Sequence, residues 1–203
     1  MNINTFQDIG KLIKTPEDMR VIDEIKETPM GDDDIRTYLP NAKIIKYTDL
    51  KNYNSIDQIL PNEKDYAIIL YQNKPSEGHW CCCLKYLYKD VPICEFFDPY
   101  GIYPDDQLDF VSDKQNVGLG IKDKYLTNLL EDADNRNVYN KTKFQSDKKN
   151  DIVNTCGRHC VNRILCLLNK NMNLDQYTDY MKKMKKDMKL PYDDIVSALI
   201  QKT

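Results

Sequence analysis

The chain has 203 residues, a net charge of −3 and 30% charged side chains, long enough to bury a sizeable core as one domain. Its slight acidity excludes electrostatic nucleic-acid binding by the chain as a whole, and its longest apolar run is far short of a membrane span. The first 14 residues hold no apolar core of signal-peptide length, and seven cysteines, three of them consecutive at Cys81, Cys82 and Cys83, make a poor disulfide framework; a soluble intracellular protein with reduced thiols is expected.

In chain order, residues 4–27 alternate apolar and charged positions at helical spacing, and Pro16-Glu17-Asp18 marks a helix start. Pro29-Met30-Gly31 interrupts the pattern before a short helix over Asp32–Tyr38. Strands are expected over Ala42–Tyr47 and over Tyr66–Tyr71, the latter apolar enough to be covered on both faces. His79–Tyr88 and Val91–Phe97 read as a hairpin turned by Lys89-Asp90, and Asp98-Pro99-Tyr100-Gly101 ends its second strand. Residues 104–120 read as loop, Lys122–Asp132 as helix, Val138–Phe144 as a strand and Ser146–Asn154 as loop. A helix from Cys156 carries Cys160, Val161, Ile164, Leu165 and Leu168 on one buried face, and the tail after Asn173 reads as amphipathic helices broken near Pro191. No internal repeat or Pro/Gly/Ser-rich linker divides the chain. The expectation is α+β: one domain over residues 1–203, with a central, mostly antiparallel or mixed sheet flanked by helices. Residues 1–28 form a helical extension and 174–203 a helical tail.

Three residues carry chemistry together. Asn154 and Thr155 are both competent N-caps, so Cys156 opens its helix, where the positive end of the dipole favours a thiolate. Gly157 removes a side chain beside the sulfur, and main-chain N–H groups at the helix start can hold an oxyanion. His79, one of two histidines, sits at a strand start, where a neutral imidazole can take the thiol proton. Asp98, nineteen residues on, comes near that imidazole if the hairpin forms, and would fix its tautomer. Trp80 fits either a shield over the imidazole or a plain core aromatic. Each residue has an ordinary explanation alone: a core thiol, a loop histidine, a turn-forming aspartate before proline.

His159 competes as the base, but at three residues from Cys156 it leaves little room for a substrate between them. Zinc is a further option, with His79, Cys81, Cys83, Cys94, Cys156, His159 and Cys160 as donors, although no paired Cys-x2-4-Cys spacing supports it. Lys182, Lys183, Lys185, Lys186 and Lys189 form a basic stretch that reads more simply as a solvated helix face than as a nucleic-acid contact.

Gly78-His79-Trp80, Phe97-Asp98-Pro99-Tyr100-Gly101 and Thr155-Cys156-Gly157-Arg158-His159-Cys160, in that order, resemble the adenain-like cysteine proteases. These process capsids in adenoviruses, virophages and large DNA viruses and are related to the Ulp-type SUMO proteases. The resemblance runs from about Pro29 to Asn169. It implies the adenain/Ulp-like fold, with His79 as base, Asp98 as its orienting acid and Cys156 as nucleophile. It also implies a glutamine donor to the oxyanion, normally six or seven residues before the cysteine. Lys149 and Asn150 stand there, so the role passes to Gln145, with Asn150 or Asn154 as substitutes. The family cleaves at Gly-Gly or Gly-X sites in virion precursors, which implies viral capsid or other virion polypeptides as substrates and no metal or organic cofactor. A location in the virion and the host-cell cytoplasm, and a monomer with no membrane partner, are expected. Some relatives take an activating peptide and DNA; no residue here matches either dependence, and the acidity lends DNA no support. The rival readings are an isopeptidase acting on ubiquitin- or SUMO-like modifiers and a non-catalytic zinc-bearing interaction domain.

Overall fold

The computed structural model describes residues 15–74, 77–147 and 152–201. The helical reading of residues before 15, and Asn150, lie outside them. The chain divides into two compact units: a helical unit of residues 15–40 and 142–201, and a sheet unit of residues 41–141. The class is α+β, with a five-stranded mixed sheet and helices in both units.

The sheet unit runs in the order β1 (Lys43–Lys46), β2 (Tyr66–Lys74), β3 (Glu77–Tyr88), β4 (Val91–Phe97) and β5 (Arg136–Tyr139). The two long ladders, β2–β3 and β3–β4, are antiparallel, and the two edge pairings are parallel. Ala67 to Leu70 are all buried, as their unbroken apolar run predicts. Strand alternation sends Ala67, Ile69 and Tyr71 of β2, Cys81 and Cys83 of β3, and Cys94 and Phe96 of β4 into one core cluster. Leu126, Leu129 and Leu130 of a short helix α5 (Tyr125–Glu131) close over that cluster, as their spacing predicts, and Ile56 and Ile59 of the one-turn helix α3 (Ile56–Ile59) join it. Asp105 is buried at its start: one carboxylate oxygen accepts from Thr127 N–H at 2.8 Å and the other from Tyr71 Oη at 3.2 Å.

Two expectations for this unit are corrected. Residues 104–120 are not plain loop. They hold a 3₁₀ turn, Asp106–Phe110, and helix α4 (Asp113–Gly118), whose N-cap Ser112 accepts from Gln115 N–H. The strand expected over Val138–Phe144 is instead Arg136–Tyr139. It stops there because the Asn140 side chain takes over the ladder's hydrogen bonds. Its Oδ1 accepts from Asp98 N–H at 2.8 Å, and its Nδ2 donates to the Asp98 carbonyl at 2.7 Å.

The helical unit comprises α1 (Pro16–Glu27), α2 (Asp32–Tyr38), α6 (Cys156–Lys170), α7 (Leu174–Met188) and α8 (Tyr192–Leu199). α1 starts at Pro16 because Thr15 and Asp18 cap one another's main-chain N–H groups. α7 ends at Lys189 in the left-handed region, and Pro191 then opens α8, the break that proline predicts. α6 departs from the expected clean stripe. Leu165 and Leu168 are half-buried, whereas Arg158, His159, Asn162 and Arg163 are wholly buried. Their hydrogen-bond partners lie beyond α6: His159 meets Asp193, Asn162 donates to Tyr177 Oη and Arg163 to the Met172 carbonyl. Arg158 donates to the carbonyls of Thr28 at 2.6 Å and Ile200 at 3.1 Å, the C-caps of α1 and α8. A buried guanidinium thus sits at the negative ends of two helix dipoles. The N-terminal and C-terminal helices are therefore built into the same unit as the helix that Cys156 opens. Among the described residues, no helix is long and apolar enough to cross a membrane.

Candidate active site

The sheet unit holds an imidazole–carboxylate pair. In the β3–β4 ladder Cys82 faces Phe97. Continuing that register past the strand end sets Cys81 opposite Asp98 and His79 opposite Tyr100, all on the cluster face. The side chains follow: His79 Nε2 lies 3.1 Å from Asp98 Oδ1, Cys81 Sγ donates to Asp98 Oδ2 at 3.0 Å, and the Tyr100 ring stacks on the imidazole with centroids 4.6 Å apart. Gln107 Nε2 donates to Asp98 Oδ2 at 3.2 Å and Tyr100 N–H to Oδ1 at 2.7 Å. Gly101, at φ 73°, closes the Asp98-Pro99-Tyr100-Gly101 turn, and its N–H donates to the Asp98 carbonyl at 2.8 Å. Asp98 is therefore both the turn former and the imidazole's partner.

Burial alone would raise the Asp98 pKa. The charge and hydrogen bond of His79, the Cys81 thiol and the Tyr100 N–H outweigh it and hold the carboxyl below its ordinary value. The imidazole thus presents Nε2 to the carboxylate. Trp80 is buried, and the ring stacked on His79 is that of Tyr100, which sequence reasoning had assigned only to a turn.

Gly78 sets the entry of His79 into β3. A Cβ there would lie 2.0 Å from the Tyr71 carbonyl oxygen and 2.9 Å from Gln72 Cα, both main-chain atoms of β2. The glycine before the histidine is required by close strand approach at a register shift.

The helical unit holds a thiol at a helix start. Cys156 is the first residue of α6, as expected, and is half-exposed, whereas the other six cysteines are buried. Burial pushes the Cys94 thiol up to about 12 and Cys166 to about 11, which leaves them inert. Gly157 is buried behind Cys156. Thr155 occupies the N-cap position without capping through its side chain, which donates to Asp193 instead. Asn154 also serves elsewhere: its N–H donates to Lys26 O at 2.9 Å and its Nδ2 to Glu27 O at 2.7 Å, closing the end of α1. Gln145 is buried, and its Nε2 donates to Val153 O at 3.1 Å. It lines a groove of about 590 Å³ with Lys143, Phe144, Lys185 and Tyr192. His159 is wholly buried, with Nε2 3.1 Å from Asp193 Oδ1, a structural position for the second histidine.

Of the donors considered for a metal, His79 and Cys81 come together, and with Asp98, which was not among them, they offer ligand atoms within 4.8 Å of one another. His159 instead pairs with Asp193, and Cys83 and Cys94 lie in the apolar cluster.

No protein-family model matches the chain. The uncharacterised protein V9 of Sputnik virophage is 31% identical over 182 residues, covering 89% of this chain and 99% of that protein. Among solved structures, the crystal structure of ASFV pS273R protease aligns with a TM-score of 0.48 and 11% identity, over 87% of this chain and 69% of that one.

Proposed function

The chain belongs to the family of the uncharacterised protein V9 of Sputnik virophage, and we propose that it is a viral cysteine endopeptidase in which Cys156 is the nucleophile, His79 its base and Asp98 the acid that orients the base. One observation carries the reading: a buried carboxylate held ionised 3.1 Å from the Nε2 of a histidine at a strand start. The half-exposed thiol at the first position of a buried helix, with a glycine behind it, supplies the complementary part.

In this mechanism Nδ1 of His79 takes the Cys156 proton, and the helix N-terminus favours the resulting thiolate. The thiolate attacks the scissile carbonyl carbon. The oxyanion takes hydrogen bonds from the Cys156 N–H and the Gln145 amide. The imidazolium passes its proton to the leaving amine, and water, deprotonated by His79, hydrolyses the thioester. Asp98 stays ionised throughout and steadies the imidazolium. No metal or organic cofactor takes part. The proposed substrates are capsid or other virion precursors cut at Gly-Gly or Gly-X, in the virion or at the cytoplasmic assembly site, by a monomer. Cys156→Ala is expected to abolish cleavage of a Gly-Gly peptide without changing the thermal midpoint, and Gln145→Ala to lower turnover by about 10²–10³-fold. Wild-type turnover in Cys156→Ala would overturn the assignment.

A second reading has one observation in its favour. His79, Cys81 and Asp98 could supply three ligands to zinc, leaving an open position. Stoichiometric zinc in the purified protein, together with a Cys156 inert to iodoacetamide, would favour a zinc-bearing interaction domain over the protease.

A further inference from the structure

We propose that Asp193, in the C-terminal helix α8, is a positioning residue that holds the two oxyanion donors in register. The inference rests on the protease reading above and adds to it a residue outside the segment that resembles known proteases.

The geometry is that of one carboxylate collecting two distant stretches of chain. Asp193 Oδ2 accepts from the Ser146 N–H at 3.0 Å, and Ser146 directly follows Gln145. Asp193 Oδ1 accepts from the Thr155 hydroxyl, and Thr155 directly precedes Cys156. The same Oδ1 lies 3.1 Å from His159 Nε2, one turn into α6. Asp193, Thr155 and His159 are all buried. A buried carboxylate with several donors is held in one rotamer, so it transmits a fixed geometry. Fixing the residue after Gln145 and the residue before Cys156 to one carboxyl group fixes the Gln145 amide relative to the Cys156 N–H. The Gln145–Val153 hydrogen bond, 3.1 Å long, joins the same two stretches of chain. Asp193 touches neither substrate nor sulfur in this scheme; it acts through Gln145.

The test is a double-mutant cycle in the full chain, on a Gly-Gly peptide substrate. Asp193→Ala is expected to lower kcat by about 10²-fold with KM little changed, since an ångström-scale displacement of a catalytic group costs that much. In a Gln145→Ala background the same change should cost less than about 5-fold, because the donor it places is already gone. Asp193→Asn keeps an acceptor for Ser146 and an amide that Thr155 and His159 can bond, and should recover at least a tenth of the wild-type kcat. Equal losses in both backgrounds would mean a merely structural carboxylate and would overturn the proposal. So would wild-type kcat in Asp193→Ala. Hydrogen exchange of the Ser146 amide, which needs no activity, should quicken in Asp193→Ala; unchanged exchange also overturns the proposal. A wild-type chain that cleaves nothing while Ser146 exchange still depends on Asp193 would sink the protease reading and leave the carboxylate's structural hold standing.

Discussion

Replacing Gly78 by alanine adds a single methyl group, and the structure sets its cost. The new Cβ would lie 2.0 Å from the Tyr71 oxygen and 2.7 Å from its carbonyl carbon, where ordinary contact begins at 3.4 Å. The start of β3 would have to part from β2 by about 1.4 Å, the difference between those two distances. Neither neighbour is a side chain that can swing away, because both atoms belong to the β2 main chain. The strain is expected to cost about 1–3 kcal/mol of stability. His79 is the next residue, and its pairing with Asp98 and stacking on Tyr100 both depend on the strand's position. Displacement on this scale should lower kcat by about 10²-fold. The assay is steady-state cleavage of a Gly-Gly peptide beside a urea melt. A Gly78→Ala chain with wild-type kcat and an unchanged urea midpoint would refute the packing argument.

Iodoacetamide at neutral pH should modify Cys156 alone among the seven cysteines, because the other six are buried; peptide mapping with labels spread over several thiols would contradict that burial. Arg158→Met should destabilise the chain by about 3 kcal/mol, since the Thr28 and Ile200 carbonyls lose a charged donor; an unchanged urea midpoint would remove the claim that Arg158 ties α1 to α8. Acid should weaken the fold through Asp98 and Asp193, whose carboxyls are held below their ordinary values. Their contribution is fully present above the unfolded value of about 3.9 and is lost as pH falls through the lower folded values. Asp98→Asn should therefore flatten the loss of stability below about pH 4, and an identical pH slope in that variant would count against the depressed carboxyl.

The elements that were legible in the sequence are those whose signals are local. The hairpin from His79 to Phe97 follows from alternation and a two-residue turn; α6 starts at Cys156 as expected, although the Thr155 hydroxyl goes to Asp193 rather than to a cap. Tyr100 was within reach too: the hairpin register, extended past Phe97, pairs it with His79. What stayed hidden depends on partners far away in sequence. Arg158 and His159 look like surface residues until Thr28, Ile200 and Asp193 arrive to satisfy them. The strand at Val138 stops early because a side chain, Asn140, bonds the Asp98 main chain in both directions. Asn154 and Gln145, both weighed as oxyanion donors, each give a side-chain amide hydrogen to a main-chain carbonyl, that of Glu27 and that of Val153.

The most direct measurement is covalent labelling with a Gly-Gly vinyl sulfone, followed by mass-spectrometric mapping in the wild type and in His79→Ala. The account predicts a single adduct on Cys156 that forms far more slowly in the variant. An adduct on another cysteine, or labelling of Cys156 at the same rate without His79, would contradict it.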